Sequence, residues 1–396
     1  MNGPRLFLIA GEPSGDRLGA SLIAGLKELA GRRLELAGIG GPAMAGEGLE
    51  SRFPMDELAV MGLAEVVPAI PRILRRVRET AAAVADWAPD ALVTIDSPDF
   101  TLRVAKRARA LRPDLRTIHY VAPQVWAWRP GRAVKMARSI DHVLALLPFE
   151  PPYMEAAGMT CDFVGHPAAA APKATPAEIA ALRSVLGFGN RRVIAVLPGS
   201  RRAEVARHGA LFAATVGRLQ AERPDLEAVV AATETVVDLV RETMPGIAVL
   251  DPRGMPDAEA EMWKRAAFGM ADVALAVSGT VSVELAAQGT PMVIAYKANP
   301  LSAAIARRLV RVDTATLVNL VTGTRAVQEF IFEACQPRFI APALARLLDE
   351  PHAAAEQRAA AAEAVRLLGR DDEPPGLRAA RSVLAAIGRD RTPPNA

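Results

Sequence analysis

The segment LFLIAGEPSGD, residues 6–16, decides the fold, because an uninterrupted apolar run ends at Ala10 and gives way at once to a turn with two glycines. This pattern indicates a buried strand, a tight turn and the start of a helix. Residues 193–204, VIAVLPGSRRAE, repeat the pattern in the second half of the chain. We therefore expect two units built on the same strand, turn and helix arrangement.

Short β-branched or leucine-rich runs alternate with longer helical patterns through most of the chain, as in βαβ units around a parallel sheet. The predicted strands are 6–10, 34–39, 91–95, 117–121, 143–147 and 162–164, then 193–197, 227–231, 247–250, 273–277 and 292–296. The predicted fold class is α/β, with two Rossmann-like, doubly wound parallel sheets facing a cleft. In such sheets ligands bind beyond the carboxyl ends of the strands, so the loops there are candidate sites.

An Ala- and Pro-rich stretch at 168–175 marks the expected boundary between the units. It ends in a predicted capping box formed by Thr175 and Glu178. The expected domains are residues 1–167 and 168–352. Two Ala-rich amphipathic helices, at 353–368 and 377–387, make up a C-terminal segment, 353–396, that we expect to cross back to the first domain.

Composition excludes several protein classes. With 51% hydrophobic and 23% charged residues, the 396-residue chain can bury a large core, which excludes general disorder. Cys161 and Cys335 lie in no metal-like spacing, and the first apolar run is too short for a secretory signal. The longest apolar stretch, 266–283, is interrupted by Asp272, so we expect a cytoplasmic protein with no integral membrane segment. The cations are mostly arginines, which favours phosphorylated ligands over nucleic acid at a net charge of only +3.

Candidate catalytic carboxylates follow two strands of the first half. Glu12 and Asp16 lie in the first turn, which an ordinary tight turn would explain equally well. Asp96 and Asp99 follow the third strand, and an acid at a strand end can accept a proton from an alcohol. Because Asp99 is better explained as the cap of a helix beginning near Thr101, Asp96 is the preferred general base.

Two of the four tryptophans, Trp126 and Trp128, follow the fourth strand beside Arg129. This clustering suggests a wall for a sugar or a lipid, although either indole alone is explained as an amphipathic cover of the core. His119, inside a buried strand pattern, is expected to be a hydrogen-bonded core histidine rather than a base.

Ser200 and Arg201 lie in the turn after the strand 193–197. Gly199 allows close approach of the backbone, the helix start favours negative charge, and the Arg201 guanidinium can bind diphosphate oxygens. The alternative is an ordinary turn with solvated arginines, which fits Arg202 well.

A second turn of the same kind follows the strand 273–277. The N–H groups of Ser278, Gly279 and Thr280 can hold phosphate at a helix start, and Glu284, one helical turn further on, can accept both hydroxyls of a ribose. A surface glutamate is the alternative for Glu284, but its apolar neighbours favour a pocket. Further candidate substrate contacts, in a region that could close over the cleft, are Asn319, Gln328 and Glu329.

The segment 61–78 mixes apolar residues and arginines like a basic amphipathic helix, although Pro68 and Pro71 interrupt its start. Its apolar side chains could enter a bilayer while the arginines meet lipid phosphates, whereas a core helix with a solvated basic face is the plainer explanation. The candidate lipid- or acceptor-facing residues are Val66, Val67, Ile70, Ile73, Leu74, Arg72, Arg75 and Arg76, together with Trp126 and Trp128.

Taken in order, the motifs resemble the lipid-A-disaccharide synthase family over nearly the whole chain. The matching segments are AGEPSGD at 10–16, MGLAEV at 61–66, IDSPDF at 95–100, the 119–129 stretch, LPFE at 147–150, PGSR at 198–201 and the 278–284 loop. The segments 126–129 and 198–204 are specific to that family, whereas the pattern 278–291 is shared by two-lobed glycosyltransferases that use UDP-sugars.

The resemblance implies a GT-B type fold and an inverting transfer of 2,3-diacylglucosamine from its UDP conjugate to the 6-hydroxyl of 2,3-diacylglucosamine 1-phosphate. It makes Asp96 the candidate base and Glu12 a second active-site acid. It also implies that Arg201 contacts the diphosphate and that Glu284 binds the ribose. The family more often has Ala at the position of Ser97, a change that we expect to matter little.

The chain has no D-x-D triplet, so a metal-held diphosphate is not suggested, and we expect neither a metal nor a cofactor. The acylated substrates favour peripheral association of residues 61–78 with an anionic inner-membrane surface, and the C-terminal helices leave a homodimer open. A UDP-sugar epimerase on the same fold is the nearest alternative and would need no lipid-facing segment. A two-lobed ligand-binding protein is a second alternative, but it would be exported.

Overall fold

The strands form where short apolar segments are covered by helices on both faces of a parallel sheet. The computed structural model describes residues 3–58, 63–129, 131–299 and 312–388. Within them, all side chains of Leu6–Ala10 are fully buried. The chain divides into unit 1, residues 1–167 with 371–396, and unit 2, residues 168–370.

Unit 1 is built on one parallel sheet. Its strands are β1 (Arg5–Ala10), β2 (Glu35–Ile39), β3 (Ala91–Ile95), β4 (Arg116–Tyr120), β5 (His142–Ala145) and β6 (Thr160–Phe163). They lie in the order β2-β1-β3-β4-β5-β6. Because the chain order reverses at β1, the ends of β1 and β3 lie side by side, with Ala10 paired to Ile95.

Unit 2 repeats this arrangement. Its strands are β7 (Arg192–Leu197), β8 (Leu226–Ala231), β9 (Ala248–Leu250), β10 (Val273–Ala276), β11 (Met292–Tyr296) and β12 (Gln328–Ile331). They lie in the order β12-β11-β10-β7-β8-β9. The chain order reverses between β7 and β10, and Leu197 is paired to Ala276 at their ends.

The predicted α/β class with two doubly wound parallel sheets is confirmed. Each predicted strand is present with its ends within two residues of the expected positions. The strand β12 was not predicted, because it opens with two polar residues, Gln328 and Glu329, and pairs on one side only.

Helices cover both faces of each sheet. Unit 1 contains α1 (Pro13–Ala30), α2 (Pro42–Gly46), α3 (Leu63–Trp87), α4 (Pro98–Leu111), α5 (Gly131–Ala137) and α6 (Pro151–Glu155), and α7 (Pro167–Ala170) spans the boundary. Unit 2 contains α8 (Pro176–Leu186), α9 (Arg202–Glu222), α10 (Val237–Thr243), α11 (Asp257–Met270), α12 (Val281–Gln288), α13 (Leu317–Thr322), α14 (Pro337–Asp349) and α15 (Pro351–Leu367). The last helix, α16 (Pro375–Ile387), returns to unit 1.

The capping box predicted at the start of α8 is confirmed. The Thr175 hydroxyl accepts the Glu178 amide at 3.2 Å, and the Glu178 carboxylate accepts the Thr175 amide at 2.7 Å. Two N–H groups that the helix itself leaves unpaired are thereby satisfied.

The C-terminal segment 353–396, expected as one piece, is divided between the units. Helix α15 packs on α12 and α13 in unit 2, whereas α16 packs on α1 in unit 1. A Cβ on Gly25 of α1 would overlap the backbone of Gly376, so these two helices approach closely through glycine. The Ser382 hydroxyl further ties α16 to the sheet through His142 at 2.7 Å and Asp162 at 2.6 Å.

Helix α3 continues past both Pro68 and Pro71, so the prolines do not prevent a helix in the basic apolar segment. Residues 61 and 62 and the side chains of Val66 and Val67 lie outside the described residues. Within the described ranges, every helix is too short or too polar to cross a bilayer.

Candidate active site

The carboxyl ends of β1 and β3 bring two carboxylates of unit 1 into one hydrogen-bonded cluster. The Ser97 hydroxyl donates to Glu12 at 3.0 Å, and the Ser14 hydroxyl donates to Asp96 at 3.2 Å. Each turn therefore supplies a serine to the carboxylate of the other. Ser97, expected to matter little, directly orients Glu12.

The backbone around Asp96 is strained. Asp96 and Ser97 have φ angles of 51° and 42°, and Val121 at the end of the neighbouring strand β4 has 85°. Left-handed conformations of non-glycine residues cost about 1–3 kcal/mol each and concentrate at functional sites. The Thr101 hydroxyl, donating to the Asp96 carbonyl at 2.8 Å, and the Ser97 amide, donating to the Asp96 carboxylate at 2.9 Å, hold this turn.

Asp16 and Asp99 have different roles from those of the carboxylate cluster. Asp16 is buried and accepts the amides of Gly41, Ala43 and Met44 at 2.8–3.0 Å, so it caps α2. The expected capping role of Asp99 is wrong, because α4 begins at Pro98 and Asp99 lies exposed within its first turn, without a side-chain cap bond.

Trp126 is anchored by a buried carboxyl that the sequence did not single out. Its indole N–H donates to Glu150 at 3.2 Å, and its ring packs edge-on against Phe149 at 5.2 Å. Glu150 is 2% exposed and also accepts the Leu147 amide at 3.0 Å. Burial raises the pKa of Glu150 from its usual value near 4.5 to about 7, although hydrogen bonds from Leu147 and Trp126 oppose the rise.

Trp128 and His119, from the same stretch of sequence as Trp126, also have defined partners. Trp128 is half-buried under the Arg129 guanidinium, which lies 4.3 Å from its ring. His119 is buried with Nδ1 2.8 Å from the Thr94 hydroxyl, and burial lowers its pKa to about 4. The prediction of a hydrogen-bonded core histidine is therefore confirmed.

In unit 2, the turn after β7 places Ser200 and Arg201 at the start of α9. The Arg201 side chain is 61% exposed and lies 3.7 Å from Glu204. The Glu204 carboxylate folds back onto the amides of Ser200, at 3.1 Å, and Arg201, at 3.4 Å. The helix start therefore already holds a negative charge of its own.

The turn after β10 lies beside the turn after β7, because β7 and β10 are neighbouring strands. Gly279 has a φ angle of 152°, and Ser278 donates its hydroxyl to the Ala315 carbonyl at 2.6 Å. Among the described residues no hydrogen-bond acceptor meets the amides of Gly279 and Thr280. Unpaired amides at the start of a helix are groups that can bind an anion.

Glu284 in α12 is paired rather than free. Lys264 of α11 donates to it at 3.1 Å and also contacts Glu261 at 2.9 Å. Burial lowers the pKa of Lys264, but the two carboxylates outweigh burial and the net pKa is raised. Lys264 also lines a small, mostly apolar cavity of about 70 Å³ beyond β8 and β9, with Met255 and Trp263.

The three further candidate contacts, Asn319, Gln328 and Glu329, differ in burial and in hydrogen-bond partners. Asn319 is fully buried and uses its amide on the backbone of Val327, at 2.8 and 3.0 Å, and on Glu329 at 3.1 Å. Glu329 also accepts the amides of Ala315 and Thr316 at 3.0 Å, and Gln328 is an exposed residue of the edge strand β12. Asn319 and Glu329 therefore fix the loop that holds Ser278.

Comparison with known proteins decides the family. A sequence model of the family described as lipid-A-disaccharide synthetase matches residues 6–374. The chain is 57% identical over 384 residues to the lipid-A-disaccharide synthase of Ruegeria pomeroyi, covering 96% of this chain and 94% of that protein. The chain belongs to the lipid-A-disaccharide synthase family. The enzyme of the same name from Rhodospirillum centenum is 46% identical, with 96% and 94% coverage.

Several solved structures have the same fold as this chain. UDP-GlcNAc 2-epimerase from Neisseria meningitidis bound to UDP-GlcNAc superposes with a TM-score of 0.62 at 11% identity, covering 97% of this chain and 99% of that chain. The glycotransferase of kitacinnamycin gives 0.59 at 17% identity, with 98% and 100% coverage. At such identities only the fold is shared, so the epimerase alternative rests on a distant likeness, whereas the family is one of glycosyltransferases.

Two of the synthase's expected lipid-facing residues are engaged inside unit 1. Arg76 donates to both oxygens of Glu57, at 2.8 and 2.9 Å, and lies over the Phe53 ring. Ile73 packs against the core of unit 1. Ion pairing therefore engages Arg76, and packing engages Ile73, within unit 1.

Four other lipid-facing candidates, all in the described part of α3, are exposed. Ile70 and Leu74, one helical turn apart, are 43% and 40% exposed, and Arg72 and Arg75 lie exposed on the same helix. The described part of α3 therefore combines a core-facing side with an exposed apolar and basic side.

Glu150, Lys264 and Glu204 were the functional candidates that sequence reasoning missed. The sequence shows Glu150 only as part of the LPFE segment that resembles the family. Its place shortly after a predicted strand, as for Asp96, is the signal that could have identified it. Lys264 lies in the preceding helix, 20 residues from Glu284, so no local spacing points to it. Glu204 is three residues from Arg201, a spacing typical of a capping glutamate.

The raised pKa of Glu150 gives a pH dependence of stability. Between its unfolded pKa near 4.5 and its folded pKa of about 7, the folded state binds more protons than the unfolded state. The free energy of unfolding therefore falls as the pH rises through this window. We expect Glu150→Gln to differ from the wild type by less than about 1 kcal/mol at pH 5. At pH 8 its free energy of unfolding, measured in urea, should exceed that of the wild type by about 3 kcal/mol.

Glu155→Gln is the matched control, because Glu155 is exposed five residues further on. It should shift the unfolding curves equally at both pH values. A difference between Glu150→Gln and the wild type that is the same at pH 5 and pH 8 would contradict the assigned pKa.

Proposed function

We propose that this synthase joins UDP-2,3-diacylglucosamine to 2,3-diacylglucosamine 1-phosphate, giving the β-1,6-linked disaccharide 1-phosphate and UDP. The observation that carries the proposal is membership of the family along residues 6–374. It is supported by carboxylate-bearing turns and amide-bearing turns at the two points where strand order reverses. An epimerase or a ligand-binding protein would not need the exposed apolar and basic side of α3.

UDP is held by unit 2 in this proposal. The starts of α9 and α12 offer amides at neighbouring strand ends, and the exposed Arg201 offers a guanidinium for diphosphate oxygens. Glu284, oriented by Lys264, accepts the ribose hydroxyls with its remaining lone pairs. Asn319 and Glu329 act as positioning residues for Ser278 through the Ala315 carbonyl.

Asp96 is the proposed general base. Its carboxylate is partly exposed and is held by the Ser14 hydroxyl and the Ser97 amide, which leaves lone pairs for an acceptor hydroxyl. Glu12, fixed by Ser97, is the second carboxylate of the site. Trp126 and Trp128, which follow β4 in the same unit, are the proposed contacts for the acceptor sugar or its acyl chains.

The reaction balances without a metal or a cofactor. The 6-hydroxyl oxygen attacks the anomeric carbon while Asp96 takes its proton, and the bond from that carbon to the diphosphate oxygen breaks. UDP leaves with the bonding electron pair, and attack from the opposite face inverts the anomeric centre. Helix-start amides and Arg201 stabilise the charge that develops on UDP.

We further propose peripheral association with the anionic cytoplasmic surface of the inner membrane through α3. Ile70 and Leu74 would bury apolar area in the lipid boundary while Arg72 and Arg75 meet lipid phosphates. This placement brings the enzyme to substrates that carry acyl chains.

Asp96→Asn tests the reaction and its base. With both lipid substrates, the wild type should release UDP and form the disaccharide, whereas Asp96→Asn should be slower by roughly 100-fold or more, because its amide cannot take the proton. Asp99→Asn, three residues away and exposed, should keep near-normal turnover. Near-normal turnover by a folded Asp96→Asn enzyme would rule out this base, and interconversion of UDP-sugar epimers without transfer would support the epimerase.

Membrane association is tested by flotation with vesicles that contain phosphatidylglycerol. We expect Ile70→Ser with Leu74→Ser to weaken binding roughly tenfold or more, since two apolar side chains no longer enter the lipid. The matched control is the double variant Val185→Ser and Phe339→Ser, which removes two exposed apolar side chains from unit 2. This control should bind the vesicles as the wild type does. Equal flotation of both double variants would refute the role of α3.

A further inference from the structure

The glycine of the turn after β7 makes room for a side chain of the protein itself. Gly199 has a φ angle of 123°, and a Cβ there would overlap Glu204. The sequence pattern suggested that this glycine admits a phosphate. In the structure, the group that comes close to it is the Glu204 side chain, through both its Cβ and a carboxylate oxygen.

Glu204 occupies the groups that a diphosphate would use at this turn. One of its oxygens accepts the amides of Ser200 and Arg201 at 3.1 and 3.4 Å, and the other lies 3.7 Å from the Arg201 guanidinium. Two anions that share the same donors repel each other at these distances. A diphosphate can therefore reach these amides only when the Glu204 carboxylate moves away.

Among the described residues, the polar partners of the Glu204 carboxylate all belong to its own turn. Its side chain is 23% exposed, and its long contact to Arg201 is open to solvent, since Arg201 is 61% exposed. The next residue, Val205, is fully buried and keeps α9 anchored in the core of unit 2. The carboxylate can thus rotate outward while the helix start stays in place.

We infer that Glu204 is an internal anion that holds the diphosphate-binding turn in the free enzyme and is displaced when UDP binds. This inference rests on the proposed function, because it assumes that the diphosphate meets the turn at 198–201. Competition from Glu204 weakens UDP binding and so assists release of the product. An ordinary helix cap would lack this competition and would affect stability only.

UDP titration by calorimetry tests this inference with Glu204→Gln. The neutral amide no longer repels the diphosphate and releases Arg201, so UDP should bind roughly three- to tenfold more tightly than to the wild type. The melting temperature without UDP should fall slightly, and the rise in melting temperature with saturating UDP should be larger than in the wild type. Glu222→Gln, at the other end of α9, should leave UDP affinity unchanged.

Further variants separate the possible failures. Glu204→Asp keeps the charge, but its shorter side chain cannot reach both amides. This variant should also bind UDP more tightly than the wild type does. It replaces Glu204→Gln in the test if that variant does not fold. Unchanged or weaker UDP binding by the folded variants would overturn the inference. If Arg201→Ala weakens UDP binding in that case, the diphosphate role of the turn survives; if Arg201→Ala has no effect, the proposed diphosphate site itself fails.

Discussion

In each sheet, one strand has its successor in the chain on one side and a later strand on the other. The turns that leave this strand and the later strand therefore start at neighbouring strand ends. This constraint positions the main candidate turns of both units. In unit 1 it brings together the turns that carry Glu12 and Asp96. In unit 2 it brings together the turns at 198–201 and 278–280. The chemistry of the two places differs only in which side chains the turns carry.

The two turn pairs have opposite electrostatic character. Unit 1 presents carboxylates that accept serine hydroxyls, and its left-handed backbone at Asp96 and Ser97 is maintained against strain by hydrogen bonds. Unit 2 presents helix-start amides and an exposed guanidinium. Its acids are internally paired, Glu284 with Lys264 and Glu204 with the turn itself. A base and an anion-binding surface are the two requirements of glycosyl transfer from a nucleotide sugar.

The fold was predictable because apolar strands and glycine turns leave a local pattern, as in residues 6–16 and 193–204. The edge strand β12 escaped prediction because half of its residues are polar. Side-chain roles were harder to predict. Asn319 and Arg76 look like ligand contacts in sequence, yet tertiary packing gives both of them partners inside the protein. Glu150 gains its raised pKa from burial by distant elements, a property that no neighbouring residue reveals.

In the proposed reaction, unit 2 holds the diphosphate of UDP at neighbouring strand ends while an acid of unit 1 activates the acceptor. The most direct measurement is a crystal structure of the enzyme with UDP. We expect diphosphate density against the turns at 198–201 and 278–280, with the ribose at Glu284. Nucleotide density away from both turns would contradict it.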